Sequence, residues 1–366
     1  MKRARIHLAL CGLATSAAML AALWPHAREA TAMLAARDDP AELADVELAS
    51  SLQNRNLVSE HIESALAAHD ADLANSFVEL AREKNVAVGD DQAQRVAAAV
   101  AEENSTGHMA KSFATGLVTG SADDVASLSG TIAGDLFVFG DVRDVVRETK
   151  HLAMGEDTDR LVLGLATAGL AVTAATYVSV GGAVPLRAGL TLVKDARKVG
   201  RLGGGLAEWA GRSAREVVDA PVLQQAVARG SVLRPGETIS AIRAAFRAEK
   251  AGGLVRLAKD VGRVGERAGI RAAQDTLKIA EEPKDVARAA RLAEAKGGKT
   301  RAILKVLGRG ALLLASGSFG LASWLFGGLL ALFGVVASIK ATTERATQAV
   351  LDRRRVKRLR LQAAAR

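Results

Sequence analysis

Aromatic residues are scarce, at 3% of the 366-residue chain. Strands normally draw on Tyr, Phe, Trp and β-branched residues, so a β-sandwich or barrel is a poor fit. There is one cysteine, Cys11, which excludes an intrachain disulfide and a cysteine-built metal cluster. It does not fit a lipoprotein acceptor either, because Leu10 precedes it and the apolar run lies mostly after it. No H-E-x-x-H is present, and His61 and His69 stand eight apart, too far for an i, i+4 ligand pair. No Ser-His-Asp constellation can be placed from sequence. These absences point away from an enzyme and imply neither cofactor nor metal.

What is present is Ala, Leu, Arg and Glu, the strong helix formers, together with 35 glycines. The expected fold is an all-α helical membrane protein with amphipathic segments and one to three transmembrane helices. The net charge of +9 is unevenly spread. Residues 33–110 hold 15 Asp/Glu against 5 Lys/Arg, whereas residues 187–310 hold 26 Lys/Arg against 13 Asp/Glu. Residues 339–366 hold 9 basic against 2 acidic. This asymmetry suggests different partners, or different sides of a membrane, for the two ends.

The chain reads as six segments. Residues 1–32 place Lys2, Arg3 and Arg5 before an uncharged run from Ile6 to Ala27, the pattern of a signal peptide or signal-anchor. Ala30-Thr31-Ala32 offers a cleavage site, while the length of the run suits retention as a span. With either outcome the chain after residue 33 is exported. Residues 33–110 form an acidic helical segment. Leu66, Leu73, Phe77 and Leu80 fall on one face of a helix. Residues 111–186 form a Gly-rich hydrophobic helical hairpin, with G-x-x-x-G pairs at Gly116/Gly120 and Gly130/Gly134. Its second arm is the uncharged stretch from Leu161 to Leu186, long enough to span. Residues 187–310 form a basic helical segment, in which Leu254, Leu257, Val261 and Val264 make an apolar stripe flanked by Arg and Lys. Such a helix suits an anionic lipid surface or a solvated protein surface.

Residues 311–339 form a transmembrane or re-entrant helix, and 340–366 a basic tail. The uncharged run from Gly310 to Ile339 would be about 45 Å long as one helix, against a hydrocarbon core of about 30 Å. One crossing fits. A re-entrant turn would break near Ser316-Gly317-Ser318 or Gly327-Gly328. Small residues recur at helical spacing through Gly320, Gly327 and Gly334, and a second seam passes through Gly164. These four glycines are the expected helix-packing sites, one seam pairing with the other. Both flanks of the last run are basic, and the positive-inside rule keeps the denser tail cytoplasmic.

Ala293 to Thr300 reads A-E-A-K-G-G-K-T, a degenerate P-loop. A working P-loop follows a buried strand, but here a charged helical pattern precedes it, so Gly297-Gly298 is expected to end that helix. Gly203-Gly204-Gly205 lacks a strand before it in the same way.

The stretch "AHDADLANSFVELA" followed by "GDLFVFGDVRDVVRE" resembles uncharacterised bacterial membrane-associated proteins over roughly residues 66–200. The resemblance implies membrane association and no known chemistry. The expectation is thus a bacterial inner-membrane protein with a non-enzymatic interaction or scaffolding role. Its partners would be the bilayer, anionic lipid head groups and itself or other membrane proteins, not nucleic acid. The alternatives are a membrane-perturbing or pore-forming protein, and a nucleotide-binding protein using 293–300.

Overall fold

A computed structural model describes residues 2–52, 54, 56–105, 131–176, 184–229, 244–312 and 318–364. The chain is all-helical, with no strand among the described residues. The helices are α1 (Lys2–Ala35), α2 (Pro40–Ser51), α3 (Leu57–Ala67), α4 (Ala71–Glu83), α5 (Asp90–Glu103), α6 (Thr131–Met154) and α7 (Arg160–Thr176). Next along the chain are α8 (Val184–Lys198), α9 (Gly204–Val217), α10 (Ala220–Arg229), α11 (Gly252–Ala268) and α12 (Ile270–Ile279). The last three are α13 (Pro283–Lys296), α14 (Thr300–Leu307) and α15 (Ser318–Ala364). Two compact units result: Met1–Asp38 with Leu314–Arg366, and Asp39–Leu313.

The larger unit is a helical domain around α11. The stripe Leu254, Leu257, Val261 and Val264 is buried, and α11 packs on α8, α12 and α13. The basic residues Arg256 and Lys259 stay off that face. The stripe therefore meets a protein core and not a lipid surface, which corrects the lipid-surface reading of this helix. One core runs from Ala44 to Leu312, so the acidic and basic segments fold together. A second cluster joins Val145 of α6, Leu163 and Leu170 of α7 and Leu223 of α10.

Three sequence expectations change. The face through Leu66, Leu73, Phe77 and Leu80 is split between α3 and α4, because His69 at φ 54° turns the chain and Asp70 caps α4 through the Leu73 N–H at 3.1 Å. Residues 161–170 of the expected second span are buried in protein, packed by α6, α8 and α9; residues 177–183 lie outside the described residues. The first part of the Gly-rich hairpin, 111–130 with Gly116, Gly120 and Gly130, also lies outside them, and its continuation forms α6. Finally, Ala311 and Leu312 belong to the larger unit's core, and α15 starts only at Ser318. It runs unbroken through Gly327-Gly328 and on into the basic tail, so no re-entrant turn forms there. The alternative break at Ser316-Gly317 lies outside the described residues.

Glycine sets the closest helix crossing. A Cβ on Gly189 of α8 would overlap the Ala258 carbonyl oxygen of α11 and sit 3.0 Å from the Gly262 nitrogen. Backbone at both contacts leaves nothing flexible to give way. Gly211 of α9 has open space at the same position. Gly189→Ala should therefore destabilise the protein by about 1–3 kcal/mol through overpacking, whereas Gly211→Ala should stabilise it by about 0.5–1 kcal/mol through helix propensity. Thermal unfolding followed by circular dichroism separates the two; equal midpoints would remove the α8–α11 contact from the fold's determinants.

Candidate functional site

The smaller unit is a two-helix pair. In Gly12/Ser338, Ser16/Gly334, Leu23/Gly327 and His26/Trp324 the residue numbers add to the same total, 350, so α1 and α15 run antiparallel in constant register. A Cβ on Gly327 would sit 3.6 Å from Leu23 Cδ1, and one on Gly334 would sit 3.3 Å from Ser16 Oγ. On Gly328 it would meet Ala27 Cβ at 3.0 Å. The seam expected from sequence is thus a helix contact, and its partner within this unit is α1. Gly164 packs elsewhere: its Cβ would lie 2.6 Å from Ala214 Cβ, so it seats α7 on α9. The two seams therefore face different helices. Gly320 lies in the first turn of α15, and its surroundings are outside the described residues.

Outside the seam the part of α15 before Lys340 is apolar and bare. Phe326, Leu329, Leu330, Phe333, Val336 and Ile339 are exposed, as are Met19 and Trp24 of α1. Fully burying one such side chain gains about 1.5–3 kcal/mol. A contiguous face of this kind marks a contact with another apolar medium. Among the described residues one helix, α15, is long and apolar enough to cross a membrane by length and composition. Most of the basic residues lie at one end of the pair, with Arg28 of α1 at the other. Arg5 falls level with Arg345 by the register, and Lys340, Arg353 and Arg354 are also on α15. Trp24 and Trp324 mark the other end.

Three charge clusters among the described residues of the larger unit join separate segments: two tie the acidic segment to the basic one, and the third ties the Gly-rich segment to it. Arg301 is 4% exposed. Its guanidinium donates to Asp70 at 2.7 and 2.9 Å, to Asp72 at 2.9 Å and to Asp275 at 2.9 Å. Burial works against the Asp70 charge, but Arg301 and Arg271 outweigh it and hold its pKa below the ordinary aspartate value. Lys296 bridges Asp45 at 2.7 Å and Glu83 at 3.0 Å. Lys299 pairs with Glu83 as well. The Lys299 hydrogen bond, aided by Lys296 and opposed by burial, holds the Glu83 carboxyl down to about 2. Between α6 and α8, buried Lys194 contacts Asp141 at 2.5 Å and Asp144 at 3.1 Å, and Lys198 reaches Asp144 at 2.8 Å. Burial would lower the Lys194 pKa; the two carboxylates outweigh it and raise it. A Cβ on Gly169 would overlap Asp141 Oδ2, so that glycine makes room for the carboxylate against α7.

These pairs alter the meaning of the charge asymmetry. Asp45 of α2, Asp72 and Glu83 of α4 and Glu103 of α5 are counter-ions of Arg271, Lys296, Lys299 and Arg301. They serve the fold before they serve any external partner. The degenerate P-loop sits inside one such cluster. It is preceded by helix α13, Gly297 at φ 54° caps that helix, and Thr300 Oγ1 donates to the Gly297 carbonyl at 2.7 Å. The Gly298 carbonyl accepts from Ser76 Oγ at 2.6 Å, and Lys299 is occupied by Glu83. Gly203 likewise is a packing glycine: its N–H donates to Leu277 O at 2.9 Å, and a Cβ there would strike the Ala280 carbonyl. His61 stacks on Phe77 with centroids 4.8 Å apart. Among the described residues no group of three His, Cys, Asp or Glu is placed to hold a metal ion.

Beside the Gly164–Ala214 crossing a cleft of about 510 Å³ opens between the start of α7, the end of α8 and α9. Sequence reading missed both this cleft and the pairing of α1 with α15. The signal for α1 was available, since basic residues flank both apolar termini. The signal for the cleft was not, since its arginines come from three separate helices.

Comparison with known proteins adds no family: no family model, curated protein or solved structure matches the chain.

Removing the Arg301 charge leaves its carboxylates facing one another. Arg301→Met should cost about 3 kcal/mol, the lower end of what a broken buried pair costs, because Asp72 and Asp275 are partly solvated. The depressed Asp70 pKa fixes the pH dependence. Its stabilisation is present above the unfolded-state value and is lost as pH falls through the folded-state one. The gap in denaturant midpoint between wild type and Arg301→Met should therefore narrow from pH 6 towards pH 2. A gap that widens in acid would assign the stability to other groups.

Proposed function

We propose that the protein is a bacterial inner-membrane protein in which α1 and α15 cross the bilayer together and hold residues 39–313 on the far side as an interaction or scaffolding domain. The carrying observation is the constant register of α1 against α15. It sets Lys2, Arg3 and Arg5 at the same end as the basic continuation of α15. The positive-inside rule then assigns one side to both chain ends, namely the cytoplasm. Trp24 and Trp324 sit at the opposite end, where amphipathic rings favour the head-group level. Residues 11–27 and 323–339 face each other without a charge, about 25 Å of paired helix at 1.5 Å per residue, close to a hydrocarbon core.

A paired crossing also resolves the conflict posed by two basic flanks. The flank before α15 belongs to residues 39–313, and segments of that length translocate largely regardless of charge. Pairing further favours retention of α1 over cleavage after Ala32. Cleavage would strip the seam of α15 of the helix that covers it. A non-enzymatic role fits the charge clusters, whose groups are engaged with one another.

Three measurements test this. Alkaline carbonate should leave the protein in the membrane pellet; release into the supernatant would overturn membrane insertion. In a Cys11→Ser background, Arg37→Cys in intact spheroplasts should react with a membrane-impermeant maleimide, and Gln348→Cys should react only after lysis. Opposite labelling, or equal labelling of both, would overturn the paired crossing while leaving insertion standing. Gly12→Cys with Ser338→Cys should crosslink within one chain; no crosslink would separate α1 from α15.

A further inference from the structure

We infer that the cleft beside the Gly164–Ala214 crossing binds a small phosphate-bearing anion, a phosphate ester or diphosphate, through Arg160, Arg197, Arg212 and Arg215. The cleft lies wholly within residues 39–313, and its chemistry does not depend on membrane crossing.

The four arginines line one cleft with only two carboxylates, Asp159 and Glu208. Asp159 is already committed twice. Its Oδ1 accepts the Leu161 and Val162 N–H groups at 3.1 Å, capping α7, and its Oδ2 accepts from Arg197 Nε at 2.8 Å. Glu208 lies 3.7 Å from Arg212, one turn along α9. Arg160 and Arg215 have no carboxylate partner among the described residues. Folding thus gathers four guanidinium groups around one space and leaves two positive charges uncompensated there. The buried cations of the unit are matched within the fold: Arg301 has three carboxylates and Lys194 two. All four arginines are exposed, so an anion entering the cleft from solvent meets a cluster with a net positive charge.

The shape selects the anion. A guanidinium presents a planar fork of donors that matches phosphate oxygens two at a time. The cleft, at about 510 Å³, is within the range of small-molecule sites and larger than a single phosphate needs. Gly211 borders open space, since a Cβ there meets nothing within 4 Å. Glu208, Gly211, Arg212 and Arg215 share one face of α9, so a single helix presents two of the cations across an unfilled position. The close α7–α9 contact at Gly164 sets the distance between the backbones that carry Arg160, Arg212 and Arg215.

The experiment uses full-length protein in neutral detergent. Inorganic pyrophosphate is titrated by calorimetry, and a short-chain soluble phosphatidic acid in parallel. Pyrophosphate binding that weakens at least tenfold in Arg160→Gln/Arg215→Gln, but not in Arg256→Gln on the surface of α11, supports the site. Gly211→Leu, which fills the cleft without changing charge, should weaken it similarly; the melting temperature of each variant confirms that the fold is kept. Binding of phosphatidic acid alone, with the same pattern among variants, would make the source of the phosphate a lipid head group. No binding of either probe, or equal loss in Arg256→Gln, would overturn the inference.

Discussion

The Arg301 guanidinium is the tie on which the larger unit depends. It sits on the short helix α14, almost out of water, and its donors end on carboxylates from α4 and α12. Such a group is costly to bury and more costly to leave unpaired. Its geometry therefore restricts how those helices can be arranged. Lys296 and Lys299 apply the same constraint beside it, drawing α2 and α4 to the end of α13. The apolar core supplies the bulk of the driving force but little direction, because Ala and Leu pack acceptably in many registers. The ion pairs provide a specific register between the first and last parts of the domain.

How much of this could be read from the sequence depends on the range of each interaction. Helix formation is local, and the all-helical fold and the buried stripe of α11 were legible in spacing alone. The cap at Gly297 was legible for the same reason. The segregated charge was visible too, but its meaning was not: two blocks of opposite sign can face separate partners or each other, and only the fold decides. The apolar run at 161–186 illustrates the same limit. Hydropathy measures what a helix avoids, not whether lipid or protein relieves it. In residues 161–170 the relief comes from α6, α8 and α9. In α15 the exposed Phe, Leu and Val side chains find none within their unit.

The four glycines marked by the small-residue seams show a sharper form of this. Periodicity marked Gly164, Gly327 and Gly334 as small residues on helix faces, and each faces a neighbouring helix. It could not say which helix approaches. Gly164 meets Ala214 from within the same domain, while Gly334 meets Ser16 from the other end of the chain. A small residue offers backbone to whatever comes near and carries no label for its partner.

The pairing of the first helix with the last has a consequence in time. Gly12 and Ser338 are separated by nearly the whole chain, so the surface of α1 that α15 covers is made long before its cover exists. At ~5–20 residues per second, roughly 15–60 s pass between the two events on the ribosome. During that interval α1 must stay helical and unaggregated with its groove of Gly12 and Ser16 unfilled. The domain between them has ample time to complete its own core first. The last helix then closes a chain that is already folded, and a truncation that removes it would leave α1 permanently waiting.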